Sequence, residues 1–77
     1  MITYTFQEAM DVYKKQCDLT KRMIRRFASQ RLVYRGAGEV GTSDINHEIC
    51  SICNEYDGNF EEAATDYLQL GEYAGIR

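Results

Sequence analysis

The sequence predicts a small all-α domain of three helices, a long basic first helix followed by an acidic helical hairpin. Three observations lead there. Apolar residues recur at helical spacing through three segments, each segment opens on a capping residue, and none of the 77 residues is proline, the commonest helix breaker. A chain of this length supports one domain, residues 1–77, with a single modest core. Its hydrophobic content of 44% is ample for a globular fold and too high for a disordered one.

The first helix opens at Thr5, an N-cap whose partner Glu8 sits three residues later as in a capping box. Phe6, Ala9/Met10, Tyr13, Cys17, Thr20, Met23/Ile24 and Phe27/Ala28 then form a stripe that carries a helix from Phe6 to Gln30. A break around Cys17-Asp18-Leu19-Thr20 is an alternative, with Asp18 capping a second segment. The stretch Arg31–Gly41, with Gly36, Gly38 and Gly41, reads as a loop. Within it Leu32-Val33-Tyr34 has two other options. Residues 32–35 can pair with residues 2–5 as a minimal two-stranded sheet, or they can continue the helix.

Thr42-Ser43-Asp44 supplies capping residues for a second helix of about twelve residues, with Ile45, Ile49, Ile52/Cys53 and Tyr56 on its apolar face. Asp57-Gly58 ends it, because glycine tolerates the left-handed turn. Asn59 caps a third helix with Glu62 at its third position, and Phe60, Ala63/Ala64 and Tyr67/Leu68 form the stripe. Gly71 stops this helix and leaves Glu72–Arg77 as a tail. The expected hairpin core is Ile49, Ile52, Phe60, Ala63 and Tyr67.

The segment Ile45–Leu70, through Ile49-Cys50-Ser51-Ile52-Cys53-Asn54-Glu55-Tyr56-Asp57-Gly58-Asn59-Phe60-Glu61-Glu62-Ala63 and Tyr67-Leu68, resembles helices two and three of ubiquitin-associated (UBA-like) three-helix domains. Those domains share an apolar helix, an Asn/Asp-Gly-Asn/Asp corner and an aliphatic-Glu-x-Ala helix ending in a hydrophobic pair. The resemblance covers about a third of the chain. Before Ile45 the short Met-Gly-Phe-type loop that contacts ubiquitin is missing, so ubiquitin binding is not implied. The same residues are similar to a single tetratricopeptide hairpin. Both likenesses imply helical packing and protein binding.

Chemistry-bearing groups are few. His47-x-x-Cys50-x-x-Cys53, with Cys17 elsewhere, is the one set with zinc-ligand character, and a zinc-stabilised interaction module is one alternative reading. Two features oppose it. The Cys-x-x-Cys lies in mid-helix rather than on a turn, and Cys53 shares the stripe of Ile45, Ile49 and Ile52, where cysteine is an ordinary small apolar residue. No metal and no cofactor are therefore expected. There is one histidine, no nucleophile motif and no phosphate-binding glycine loop, so a non-catalytic protein is expected.

The net charge of −3 hides a strong asymmetry. Residues 1–36 carry eight Lys and Arg against three acids, or +5, and residues 37–77 carry one Arg against nine acids, or −8. Such patterning bears on partners. The chain is expected to be a small protein-binding regulator or inhibitor that occupies a partner's surface. Proteins of this type are common among phage and mobile-element products, including anti-CRISPR inhibitors. The expected contact face is acidic, Glu48, Glu55, Asp57, Glu61, Glu62 and Asp66, and it would meet a basic surface on another protein. A homodimer joining basic and acidic halves is a further option. The alternative is a nucleic-acid binder using Lys14, Lys15, Lys21, Arg22, Arg25 and Arg26, which a sequence pI of about 5 disfavours. No apolar run approaches the ~20 residues of a membrane span. The N-terminus lacks the basic and apolar regions of a signal peptide, so no membrane association and a cytoplasmic location are expected, the host cytoplasm for a phage product.

Overall fold

The computed structural model describes residues 3–36 and 38–75, with side chains described through Gln69. It is an all-α domain of four helices, α1 (Phe6–Lys14), α2 (Asp18–Tyr34), α3 (Thr42–Glu55) and α4 (Phe60–Gly75). No strand occurs among the described residues. Ile2 lies outside them, and Leu32-Val33-Tyr34 belongs to α2, so the helical option is the one realised there.

The long first helix of the sequence reading is two helices. At the end of α1 the bonds tighten, Lys15 N–H to the Val12 carbonyl and Gln16 N–H to the Tyr13 carbonyl. Cys17 then turns to an extended conformation (φ −68°, ψ 162°) and serves as the N-cap of α2. The bend lets Ala9, Met10 and Tyr13 of α1 and Ile24, Phe27 and Ala28 of α2 enter one core. The Tyr13 hydroxyl donates to the Lys21 carbonyl and ties the two helices across the bend. Thr5 opens α1 with the capping box read from the sequence, Glu8 N–H donating to Thr5 Oγ1 and Thr5 N–H to Glu8 Oε1.

Beyond Tyr34 and the Arg35 C-cap, Gly36 closes α2 with a φ of +87°, the left-handed turn that glycine adopts without strain. At the start of α3, Asp44 accepts from the Gly41 N–H. The corner between α3 and α4 is two successive left-handed residues, Asp57 (φ 52°) and Gly58 (φ 79°). Asn59 Oδ1 then accepts from the Glu62 N–H and caps α4. α4 runs through Gly71 to Gly75, past the expected stop. A single glycine in a helix interior costs only about 1 kcal/mol, too little to end a helix on its own. Ile76 and Arg77 lie outside the described residues.

The core is formed by Ala9, Met10, Tyr13, Ile24, Phe27, Ala28, Ile49, Ile52, Cys53, Phe60, Ala63 and Ala64. Four of the five expected hairpin residues are fully buried, and Tyr67 packs on the core edge with its ring 5.6 Å from that of Phe27. α2 packs across both α3 and α4, while α1 lies against α3. α3 and α4 touch each other less than each touches α2. The hairpin is thus held together through the basic helix. No described helix is long and apolar enough to cross a membrane.

A strap precedes α1. The side-chain amide of Asn54 on α3 accepts from Tyr4 N–H at 2.6 Å and donates to the Tyr4 carbonyl at 3.2 Å. The Tyr4 hydroxyl donates to the Asp57 carbonyl at 3.2 Å. A Cβ built on Gly58 would lie 2.6 Å from that hydroxyl, so the corner needs glycine for space as well as for conformation.

Candidate binding surfaces

The acidic residues do not form one face. Glu48 is a correction to the sequence reading, because it is only 4% exposed and cannot meet a partner. α3 turns it inward, where Arg31 and Arg35 of α2 both pair with it. Its Oε2 sits 2.8 Å from Arg31 Nε, yet no aligned hydrogen bond reaches that atom. The pair is therefore held by charge at that oxygen. Arg31 also bonds Glu55 through its Nη2 and lies 5.5 Å over the Phe27 ring. One guanidinium thus organises two acids and an aromatic ring.

Asp66 is half-buried and accepts from the Tyr56 hydroxyl at 2.9 Å. Burial, with the Asp66 carboxylate beside it, pushes the Tyr56 phenol up to about 12. Of the six expected contact acids, Asp57, Glu61 and Glu62 stay exposed and pair with no described basic group. Glu61 and Glu62 occupy the first turn of α4, where negative charge also complements the helix dipole.

The basic residues stay outside. Lys14 and Lys15 end α1, and Arg22, Arg25 and Arg26 project from α2 at i, i+3, i+4 spacing; all five are exposed. Lys21 is half-buried and meets Asp18 at 3.6 Å. No described acid pairs with the other five. Leu19 and Val33 lie on this outer side of α2 too, each more than half exposed. The result is a helix face of arginines flanked by apolar residues. Arg31 and Arg35, outside the expected basic stripe, are the ones that pair with the acidic half, at Glu48 and Glu55.

The four soft ligands are scattered. Cys53 is buried in the core, Cys50 is half-buried beside Asn54, Cys17 is exposed at the start of α2, and the His47 ring lies 4.8 Å from that of Phe6. Among the described residues no three His, Cys, Asp or Glu are placed to hold a metal ion. Burial, with Cys50 nearby, pushes the Cys53 thiol up. The Thr20 hydroxyl and backbone N–H hold the Cys17 thiol below its ordinary value.

No protein-family model, curated protein or solved structure matches this chain. The UBA-like corner at Asp57-Gly58-Asn59 therefore remains a local likeness in a four-helix chain. The surfaces have to be read from their own residues.

Proposed function

We propose that this protein is a non-catalytic binding protein that regulates or inhibits another protein by covering an acidic surface of it. The outer face of α2 is the contact. The observation that carries this reading is the set of exposed cations on that face, Arg22, Arg25 and Arg26 with Lys14 and Lys15 beside them, none paired with a described acid. Arginine is enriched at protein interfaces, and Leu19 and Val33 add exposed apolar surface beside it.

The test compares affinity capture from nuclease-treated lysate of the source cell by the natural chain and by the triple variant Arg22→Glu, Arg25→Glu, Arg26→Glu. The captured protein is then identified, purified and titrated against both. The triple variant should associate at least about tenfold more slowly at low salt, the size of a steering effect. Equal binding by both chains overturns the choice of face. Tight binding of bare duplex DNA, with affinity falling steeply as salt rises, overturns the protein partner in favour of nucleic acid.

A further inference from the structure

The face that would take an acidic protein has a complement on the same chain. Along the outer side of α2, Leu19, Arg22, Arg26 and Val33 follow one another at i, i+3, i+7 and i+14, and all four are exposed. Along the outer side of α4, Glu61, Thr65 and Leu68 follow at i, i+4 and i+7, and all three are exposed. Helical spacing makes each set a single stripe. In each stripe a charge and a large apolar residue stand seven residues apart, about 10.5 Å along the axis. Placing Arg26 against Glu61 brings Leu68 onto Leu19 if the helices run antiparallel, or onto Val33 if they run parallel. Either register matches charge with charge and apolar with apolar.

Within one molecule the inner sides of α2 and α4 meet through Phe27 and Tyr67, and no ion pair among the described residues joins the two outer stripes. We propose that the occupant of each stripe is a second copy of this chain, the arginine face of one molecule docking on the Glu61–Leu68 face of the next. This inference shares its arginine face with the proposed function. It adds that the chain competes for that face with its own partner.

The symmetry follows from the geometry. The two patches differ, so the contact is heterologous, and each bound copy still presents one free face. Successive contacts of this kind build assemblies past the dimer, closing into rings where the rotation allows. A single helix-on-helix contact falls well short of the roughly 1,200–2,000 Å² of a stable interface, so the assemblies are weak and dynamic.

Sedimentation velocity on the full chain tests this. At low salt the mean mass should rise with concentration past that of a dimer. It should fall to the monomer as ionic strength goes from about 0.01 M to about 1 M, where screening shortens from about 30 Å to about 3 Å. Two variants sharpen the test, Arg22→Glu with Arg26→Glu, and Glu61→Lys with Glu62→Lys, each checked for unchanged helicity. Either alone should be monomeric at every concentration, because each lacks one of the two faces. Mixed in equal amounts they should restore association, since the first keeps the acidic face and the second the basic one. The mixture should alternate the two variants past the dimer, because the two reversed faces also complement each other in charge.

A natural chain that stays monomeric at low salt and high concentration overturns the inference, as does a mixture that stays monomeric. Association that survives either double substitution on its own overturns it too. If self-association fails while the arginine triple still abolishes capture of a protein partner, only this inference falls. If the variants associate as described but capture is untouched by the triple, only the proposed function falls.

Discussion

Glu48→Ala is the substitution whose cost the structure lets us work out most fully. The carboxylate is 4% exposed and has two guanidinium partners. Those partners differ in their access to water. The Arg35 side chain is 57% exposed and rehydrates when Glu48 is removed, so its share resembles a surface pair, ~0.2–1 kcal/mol. Arg31 is 24% exposed and loses a charged contact it cannot fully replace with water, a loss of about 1.5–3 kcal/mol. Arg31 keeps Glu55, which limits the penalty to less than that of stranding a fully buried charge. The sum is about 2–4 kcal/mol. A domain of 77 residues has only roughly 4–12 kcal/mol in all, at ~0.05–0.15 per residue. Urea unfolding followed by circular dichroism should show the midpoint falling by about a sixth or more with an unchanged slope. The double variant Arg31→Met, Glu48→Leu should recover most of the loss, since apolar replacement of a buried pair is often neutral or better. A midpoint shift worth less than about 0.5 kcal/mol in the single variant refutes the reasoning, because that is the size of an ordinary surface change.

Phe60→Ala empties the largest fully buried side chain, which meets Tyr13 edge-on at 5.9 Å, and should cost about 3–5 kcal/mol in the same assay. Gly58→Ala should lose more than about 1 kcal/mol, from the positive φ and from the clash with Tyr4. The double variant Gly58→Ala, Tyr4→Ala should cost less than the sum of its two single changes, because the clash is removed once. Among the thiols, native alkylation near neutral pH followed by mass spectrometry should modify Cys17 first and Cys53 only on unfolding, from the opposite directions of their shifts and from their exposure. Chelators should leave the melting temperature unchanged; a collapse would place structural zinc at the thiols.

Helix type and most caps were legible in the sequence because they are local. Thr5 with Glu8, Asp57-Gly58 and Asn59 with Glu62 all act within a few residues, and each occurs where the residues suggest. The break before α2 was harder to read. The apolar stripe runs on through Cys17, and only packing against α3 and α4 reveals that a straight rod would carry Phe27 off the core. Charge alone puts Glu48 on the outside. Its phase tells otherwise. It falls beside Ile45, Ile49 and Ile52, while Arg31 falls on the stripe of Ile24, Phe27 and Ala28. Opposite charges in phase with two facing stripes are a signal for an internal ion pair. Strap contacts such as Tyr4 to Asn54 have no such signal, since nothing local links residues fifty apart.

That strap has a consequence for the order in which the chain folds. Asn54 offers Tyr4 a donor and an acceptor, as a neighbouring β-strand would, but it does so from a helix that must already exist. Closing a fifty-residue span before α3 has formed would lose chain entropy with no bonding partner to offset it. The strap therefore locks late, after α2, α3 and α4 have met, and its bonds are largely absent from the folding transition state. Its contribution lies in the lifetime of the folded molecule. Removing both bonds through Asn54→Ala speeds unfolding and leaves the folding rate nearly unchanged.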